Sequence, residues 1–162
     1  KLIIVSGRLN NHRLFEGISK SVIDMKNLDT KIIEILRNET ASDRDVLTMR
    51  DTVLPVMERL DRSGLLNEII LPHEGSFVEL PFILQRGKRV YKGRIDRVVI
   101  RDGIANIYDY KTYPLQAAEI PGLIRRYSFQ MEIYKEAVER LFRVSTIAYL
   151  FLTHEPELIR IN

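Results

Sequence analysis

Between two runs of strand-forming residues, 89–101 and 104–111, stands the dipeptide Asp102-Gly103. A two-residue hairpin loop needs positive φ at both central positions, and Asp-Gly is among the few pairs that supply it. Such a loop fixes the register of everything behind it. With Arg101 opposite Ile104, Val98 faces Ile107 and Asp96 faces Asp109, side chains on one sheet face. Two carboxylates are therefore expected side by side, their Cβ atoms ~4.5–5.5 Å apart. Like charges placed directly opposite destabilise a sheet, so something must compensate. The flanking residues on that face, Val98, Ile100, Ala105 and Ile107, are apolar, which puts the pair at the rim of a covered surface. A divalent cation suits this arrangement, because hard oxygen ligands at that separation hold Mg²⁺ with several retained waters. Lys111 lies two residues beyond Asp109 and shares its face; an ammonium there lowers the pKa of a metal-bound water or steadies charge on a phosphate. The competing reading is a solvated ionic cluster in which Asp96 and Asp109 pair with Arg94 and Lys111.

The rest of the chain supplies the frame. Phe15, Ile18, Val22 and Met25 follow helical spacing, as does a second series through Ile32, Ile33, Ile35 and Leu36. A third helix is predicted after Ser42-Asp43, a plausible N-cap, carrying Val46, Leu47, Val53, Leu54, Val56, Met57 and Leu60 until Ser63-Gly64 stops it, with Pro55 as a kink or division. From residue 68 the period changes to strands: 68–71, 77–85, 89–101 and 104–111, broken by Arg86-Gly87-Lys88 and by Asp102-Gly103. A loop containing Pro114 and Pro121 precedes a helix over 128–142 with Phe129, Ile133, Ala137 and Leu141 on one face, then a buried strand over 145–152. Helices, an antiparallel meander, a helix and a strand predict an α/β fold with α+β character around a central mixed sheet.

The 162 residues, 45% hydrophobic, are enough for one domain with a sizeable core. The chain starts without Met and stops just after the strand-like Leu158-Ile159-Arg160-Ile161, so it reads as a piece of something longer. Without a single Cys, disulfides, cysteine-ligated zinc, iron–sulfur clusters and thiol nucleophiles are excluded. That lack fits a reducing cytoplasm. No apolar run approaches the ~18 residues needed to cross a bilayer, and the start is too short for a signal peptide, so no membrane partner is expected. A net charge of +3 permits an anionic partner without requiring one.

Four segments then stand in a familiar order: His12 on the leading helix, Gly93-Arg94-Ile95-Asp96-Arg97-Val98, Asp109-Tyr110-Lys111-Thr112, and Gln130 with Tyr134 in Gln130-Met131-Glu132-Ile133-Tyr134. Together they resemble the successive motifs of the RecB-like branch of the PD-(D/E)xK nuclease superfamily, over most of the chain from His12 to about Leu152. The resemblance implies a restriction-endonuclease-like core over residues 1–162 with 27–66 as a helical insert. It implies that Asp96 and Asp109 bind Mg²⁺, or Mn²⁺ in its place, with the backbone carbonyl of Tyr110 and with His12, and that Lys111 assists the attacking water. Gln130 and Tyr134, one helical turn apart, would flank the site and help position DNA or water. The plainer readings are that His12 is a satisfied core histidine and Tyr134 a core tyrosine. Glu79, in Glu79-Leu80-Pro81-Phe82, resembles a recurrent acidic position at the start of a family strand but reads first as a plain exposed strand residue; Glu16 stands one turn after His12 and either orients it or pairs with Lys20. Departures are the Asn10-Asn11 pair before His12 and the missing four-cysteine cluster of the iron–sulfur members.

The resemblance thus implies metal-assisted hydrolysis of DNA phosphodiesters, exonucleolytic or endonucleolytic, with one metal or two. Arg94, Arg97, Arg125, Arg126 and Lys135 are candidate phosphate contacts. The closest match is to the cysteine-free nuclease domains of RecB- and AddA-type helicase-nucleases. It implies a helicase motor in the same polypeptide, with or without a partner subunit, single-stranded DNA as substrate and break repair by recombination as the setting. The alternatives are a catalytically silent DNA-binding or scaffold domain of the same fold and a stand-alone, phage-type exonuclease.

Overall fold

The turn at Asp102-Gly103 forms as its chemistry dictates, with φ +50° and +74° at the two positions. In this computed structural model, which describes residues 27–39, 42–112 and 114–162, it joins strands β2 (Arg89–Arg101) and β3 (Ile104–Lys111). The predicted register follows: Arg101 pairs with Ile104, Ile100 with Ala105, Val98 with Ile107 and Arg97 with Tyr108. A second tight turn at Gly87-Lys88 joins β1 (Ser76–Arg86) to β2, Arg86 opposite Arg89. Strands β4 (Ser145–Leu152) and β5 (Glu157–Ile161) complete a five-stranded sheet in the order β1-β2-β3-β4-β5, antiparallel except for the parallel pair β3·β4. A mixed α/β architecture with an antiparallel meander is thus what the chain adopts.

A parallel pair needs a long crossover, and helix α3 (Ile120–Phe142) supplies it. Its face carrying Leu123, Met131, Tyr134 and Val138 packs with Val98, Ile107, Ala148, Leu150 and Leu152 in one buried cluster. The helix begins eight residues earlier than the sequence suggests, because Pro121 occupies its first turn, where the missing N–H is no loss. A 3₁₀ turn at Ala117–Glu119 leads in, with the Gln116 and Glu119 side chains and backbones bonded reciprocally. Proline here starts a helix rather than marking a loop.

The chain divides into two compact units, residues 73–152 with 157–162, which hold the sheet and α3, and residues 1–72 with 153–156. In the latter, α1 (Leu28–Glu39) and α2 (Asp43–Arg62) bury Leu28, Ile32, Leu36, Val46, Met57 and Leu60. Ser42 caps α2, accepting from the Asp45 N–H, and Pro55 is accommodated within it. The strand expected over 68–71 is instead part of a π-helical turn, Leu66–Ile70. Leu66, Ile69 and Ile70 are all buried at i, i+3, i+4 spacing, and a short apolar run of this kind does not distinguish strand from helix. Among the described residues no helix is long and apolar enough to cross a membrane.

Candidate active site

Asp109 sits on β3, between β2 and β4, and is 3% exposed. A carboxylate that deep must be fully bonded or its burial costs several kcal/mol (about 3 or more for an uncompensated charge). Both oxygens have donors: Gln130 Nε2 gives a hydrogen bond of 2.8 Å to Oδ1, and Lys111 Nζ donates to Oδ2. Lys111 reaches it because residues two apart on a strand share a face. Its own ammonium, on a residue 7% exposed, stands 3.7 Å from the centroid of the Tyr127 ring, a cation–π contact. Tyr127, Gln130 and Tyr134 lie three and four residues apart and present one face of α3 to the sheet.

From Gln130 the network continues to β2. The same Gln130 nitrogen donates to the Tyr134 hydroxyl at 2.9 Å, and that hydroxyl donates to the Arg94 carbonyl at 3.0 Å. Gly93 explains itself here: a Cβ at that position would stand 3.2 Å from the ring of Phe82, which packs edge-on against Tyr134 at 5.5 Å. The Tyr134 phenol is pushed well above its usual pKa, first by burial and then by the negative charges of Asp109, Asp96 and Glu79. The Gln130 hydrogen bond opposes this only partly. Tyr134 is therefore a neutral hydroxyl donor around which three carboxylates gather.

Asp96 stands where the pairing of β2 with β3 stops, so the direct pairing with Asp109 expected from the turn does not form. Regular pairing of β2 with β3 ends at Arg97 with Tyr108, and the Asp96 carboxylate itself accepts the Tyr110 N–H at 2.8 Å. The side chain thus occupies the place of a ladder bond, one residue from Asp109. Strict alternation does not hold across this point: Ile95 and Val98 both face the α3 core, as do Leu80 and Phe77 on the neighbouring strand. The residue opposite Asp96, between the pairs Val78 with Arg97 and Leu80 with Ile95, is Glu79. Its φ is +52°, a left-handed conformation rare outside glycine, and its side chain is only 15% exposed, 3.7 Å from the Arg94 guanidinium.

Glu79 is thus a member of the acidic group rather than an ordinary strand residue, and the sequence held the signal. A turn at Gly87-Lys88 fixes Arg86 against Arg89, and the same counting sets Glu79 against Asp96. Tyr127 escapes a sequence reading that starts the helix at residue 128. A left-handed conformation costs an L-residue about 1–2 kcal/mol, and glycine escapes that cost. In equilibrium denaturant unfolding, Glu79→Gly is therefore expected to be about 1 kcal/mol more stable than Glu79→Ala; a less stable glycine variant would mean the strain is illusory.

The donor set fits a hard cation. The Asp96 carboxylate, bonded to the Tyr110 N–H, and the Asp109 carboxylate next along β3 bring two sets of hard oxygen donors together. Among the described residues no group of three or more His, Cys, Asp or Glu could hold a metal ion by itself. Mg²⁺ is commonly bound by one or two carboxylates together with water and substrate phosphate, so two acids are sufficient. His12 and Glu16 lie outside the described residues. Of the arginines, Arg94, Arg125 and Arg126 are exposed and Lys135 is half-buried, whereas Arg97 is fully buried and its pKa is lowered by burial. Arg97 is therefore not a surface phosphate contact, contrary to expectation.

Comparison with known proteins agrees with this reading of the fold. No curated protein matches the chain. Among solved structures, one from Eubacterium rectale described as a "Putative exonuclease" superposes with a TM-score of 0.53 at 12% identity, covering 95% of this chain and 60% of that one. This chain therefore spans less than two thirds of that protein's length. The structure of SSO0001 aligns at a TM-score of 0.38 and 16% identity, covering 93% of this chain and 74% of that one. A family model for the PD-(D/E)XK nuclease superfamily matches residues 11–161. With nearly the whole chain matched, and the sheet and helices in the arrangement that fold requires, the chain belongs to the PD-(D/E)XK nuclease superfamily, whose members generally use divalent metals such as Mg²⁺.

Proposed function

We propose that this chain is a Mg²⁺-dependent DNA phosphodiesterase of the RecB-like branch, working in the cytoplasm as the nuclease part of a helicase-nuclease in recombination-linked break repair. The observation that carries the catalytic reading is the buried Asp109–Lys111 pair held by Gln130, with the Asp96 carboxylate bonded to the intervening residue, Tyr110. A silent scaffold has no physical reason to gather acids and an ammonium beneath a helix. The helicase and repair setting rests on the motif resemblance alone. The "Putative exonuclease" neighbour is in keeping with nucleolytic activity, at an identity that speaks for fold only.

Asp96 and Asp109 would hold the cation, joined by the Tyr110 carbonyl and His12. When bound, it polarises a phosphate oxygen and supplies a water of lowered pKa. The chain's own residues then have separate tasks. Lys111 presents its ammonium to charge developing on the phosphate, in a setting where water is largely excluded and electrostatic stabilisation is strong. Gln130 fixes the Asp109 carboxylate, and Tyr134, kept protonated, ties Gln130 to the β2 backbone. Arg94, exposed at the edge of the site, would contact a phosphate of the incoming strand.

The test is metal removal. The intact protein is expected to degrade end-labelled single-stranded DNA with Mg²⁺ or Mn²⁺, to stop on chelation by EDTA and to recover when Mg²⁺ is restored. Cleavage that persists through exhaustive chelation would rule out this mechanism.

A further inference from the structure

The β1–β2 hairpin continues past the site as a ribbon with two unlike faces. On one, Phe82, Leu84 and Tyr91 pack with Ile133 and Ala137 of α3, and Tyr91 meets Phe129 edge-on at 5.8 Å. Arg86 pairs with Glu132 at 2.6 Å, and Arg140 donates to the Gln85 carbonyl at 3.1 Å. The hairpin is thus pinned to the helix and rigid. On the other face, by alternation, stand Pro81, Ile83, Gln85, Val90, Lys92 and Arg94, all exposed, Ile83 at 80% and Val90 at 63%. Exposed aliphatic side chains on an ordered strand, with no described residue covering them, call for a partner.

Charge says what kind. From Leu80 to Ile95 there is no acidic residue and there are five cations, Arg86, Lys88, Arg89, Lys92 and Arg94. That local charge of +5 exceeds the +3 of the whole chain, so the remainder is net acidic. Lys88, Arg89 and Lys92 are exposed and make no ion pair among the described residues. A duplex offers phosphates to such cations but keeps the faces of its bases stacked inside, leaving Ile83 and Val90 idle. A single strand offers both.

We infer that the outer face of this hairpin is a contact surface for single-stranded nucleic acid, with bases resting on Ile83 and Val90 and phosphates against Lys88, Lys92 and Arg94. Lys92 lies four residues from Asp96, about 13 Å along the strand, so the surface ends near the site, although on the sheet face turned away from the helix that covers Asp109. Arg94 marks the junction, its guanidinium 3.7 Å from Glu79 and its carbonyl bonded to Tyr134. The inference deepens the nuclease reading and rests on it for the direction of the strand, since it names what feeds the site.

The experiment measures fluorescence anisotropy of a labelled oligothymidylate, and of a duplex of equal length, with the intact protein in EDTA across a salt series. The double variant Lys88→Ser, Lys92→Ser is expected to weaken single-strand binding by ~10-fold. It should also flatten the slope of log affinity against log salt by ~0.7 for each phosphate that is no longer neutralised. Ile83→Ser with Val90→Ser is expected to weaken single-strand binding several-fold (~3–10-fold) at unchanged salt slope. All these side chains are exposed, so the variants should melt with the wild type. Hydrolysis of a small chromogenic phosphodiester with Mg²⁺, which reaches only the carboxylates, should not change. Wild-type affinity and slope in both variants would overturn the inference. So would equal losses on duplex and single strand from the cation variant with no effect of the aliphatic one, which would make the surface a duplex contact, and so would the absence of single-strand binding by the wild type. Failure of the wild type to hydrolyse any phosphodiester would remove the nuclease reading and leave the binding comparison to decide the hairpin separately.

Discussion

Asp109→Ala is expected to lower the rate of DNA cleavage by at least ~1,000-fold, a loss of about 4 kcal/mol of transition-state stabilisation. The variant removes one of the two acids proposed to hold the cation, the partner of Lys111 and the acceptor of Gln130 in a single step. Part of the effect will be structural. Removing one member of a buried ion pair leaves the other uncompensated, which costs about 3–5 kcal/mol in a dry interior. Here Lys111 keeps its place over the Tyr127 ring, so a loss nearer the lower figure is expected. Cleavage must therefore be compared at a temperature where circular dichroism shows both proteins folded. Activity within about tenfold of the wild type under those conditions would exclude Asp109 as a ligand.

The second large effect separates binding from chemistry. A metal ion held as proposed would compete with Lys111 for the Asp109 carboxylate, since the ammonium already donates to one of its oxygens. Lys111→Met keeps much of the side-chain volume and removes the charge. Cleavage should fall ~100- to 1,000-fold, because the group proposed to face the developing phosphate charge is gone. Metal affinity should rise, because the carboxylate left behind has lost its cation. Since a ligand that binds only the folded state stabilises it by mass action, Mg²⁺ or Mn²⁺ should raise the melting temperature of Lys111→Met more than that of the wild type. A variant that lost metal-dependent stabilisation together with activity would show Lys111 to be part of the binding site's architecture rather than a group acting on the phosphate.

Much of this was legible before any coordinates, for a physical reason. Two-residue turns transmit register without slack, so Asp102-Gly103 fixed β2 against β3 up to Arg97, and Asp109 with Lys111 on one face followed from the pleat. Helix spacing put Gln130 and Tyr134 on one face and the resemblance turned that face to the site. The apolar series from Phe129 to Leu141 misled, since both of those residues are exposed and only Ile133 and Ala137 are buried. What the pattern could not show was the interruption at Asp96. Alternation assumes a regular ladder, and here a side chain substitutes for a backbone bond while the neighbouring strand turns left-handed at Glu79. Local irregularity of this kind is set by tertiary demand at a site and carries no periodic signature. The start of α3 was hidden differently. Pro121 reads as a breaker unless it falls in a first turn, and that depends on the cap before it. Arg97 shows the limit of charge as a guide, since an arginine in a motif of surface appearance is fully buried.

Diffraction from crystals of the intact protein soaked in Mn²⁺, recorded at the manganese absorption edge, tests the shared-cation claim most directly. The expected map has an anomalous peak bound by carboxylate oxygens of both Asp96 and Asp109, at about 2.0–2.2 Å from each. A peak touching only one of them, or none at all with both carboxylates ordered as in this structure, would contradict it.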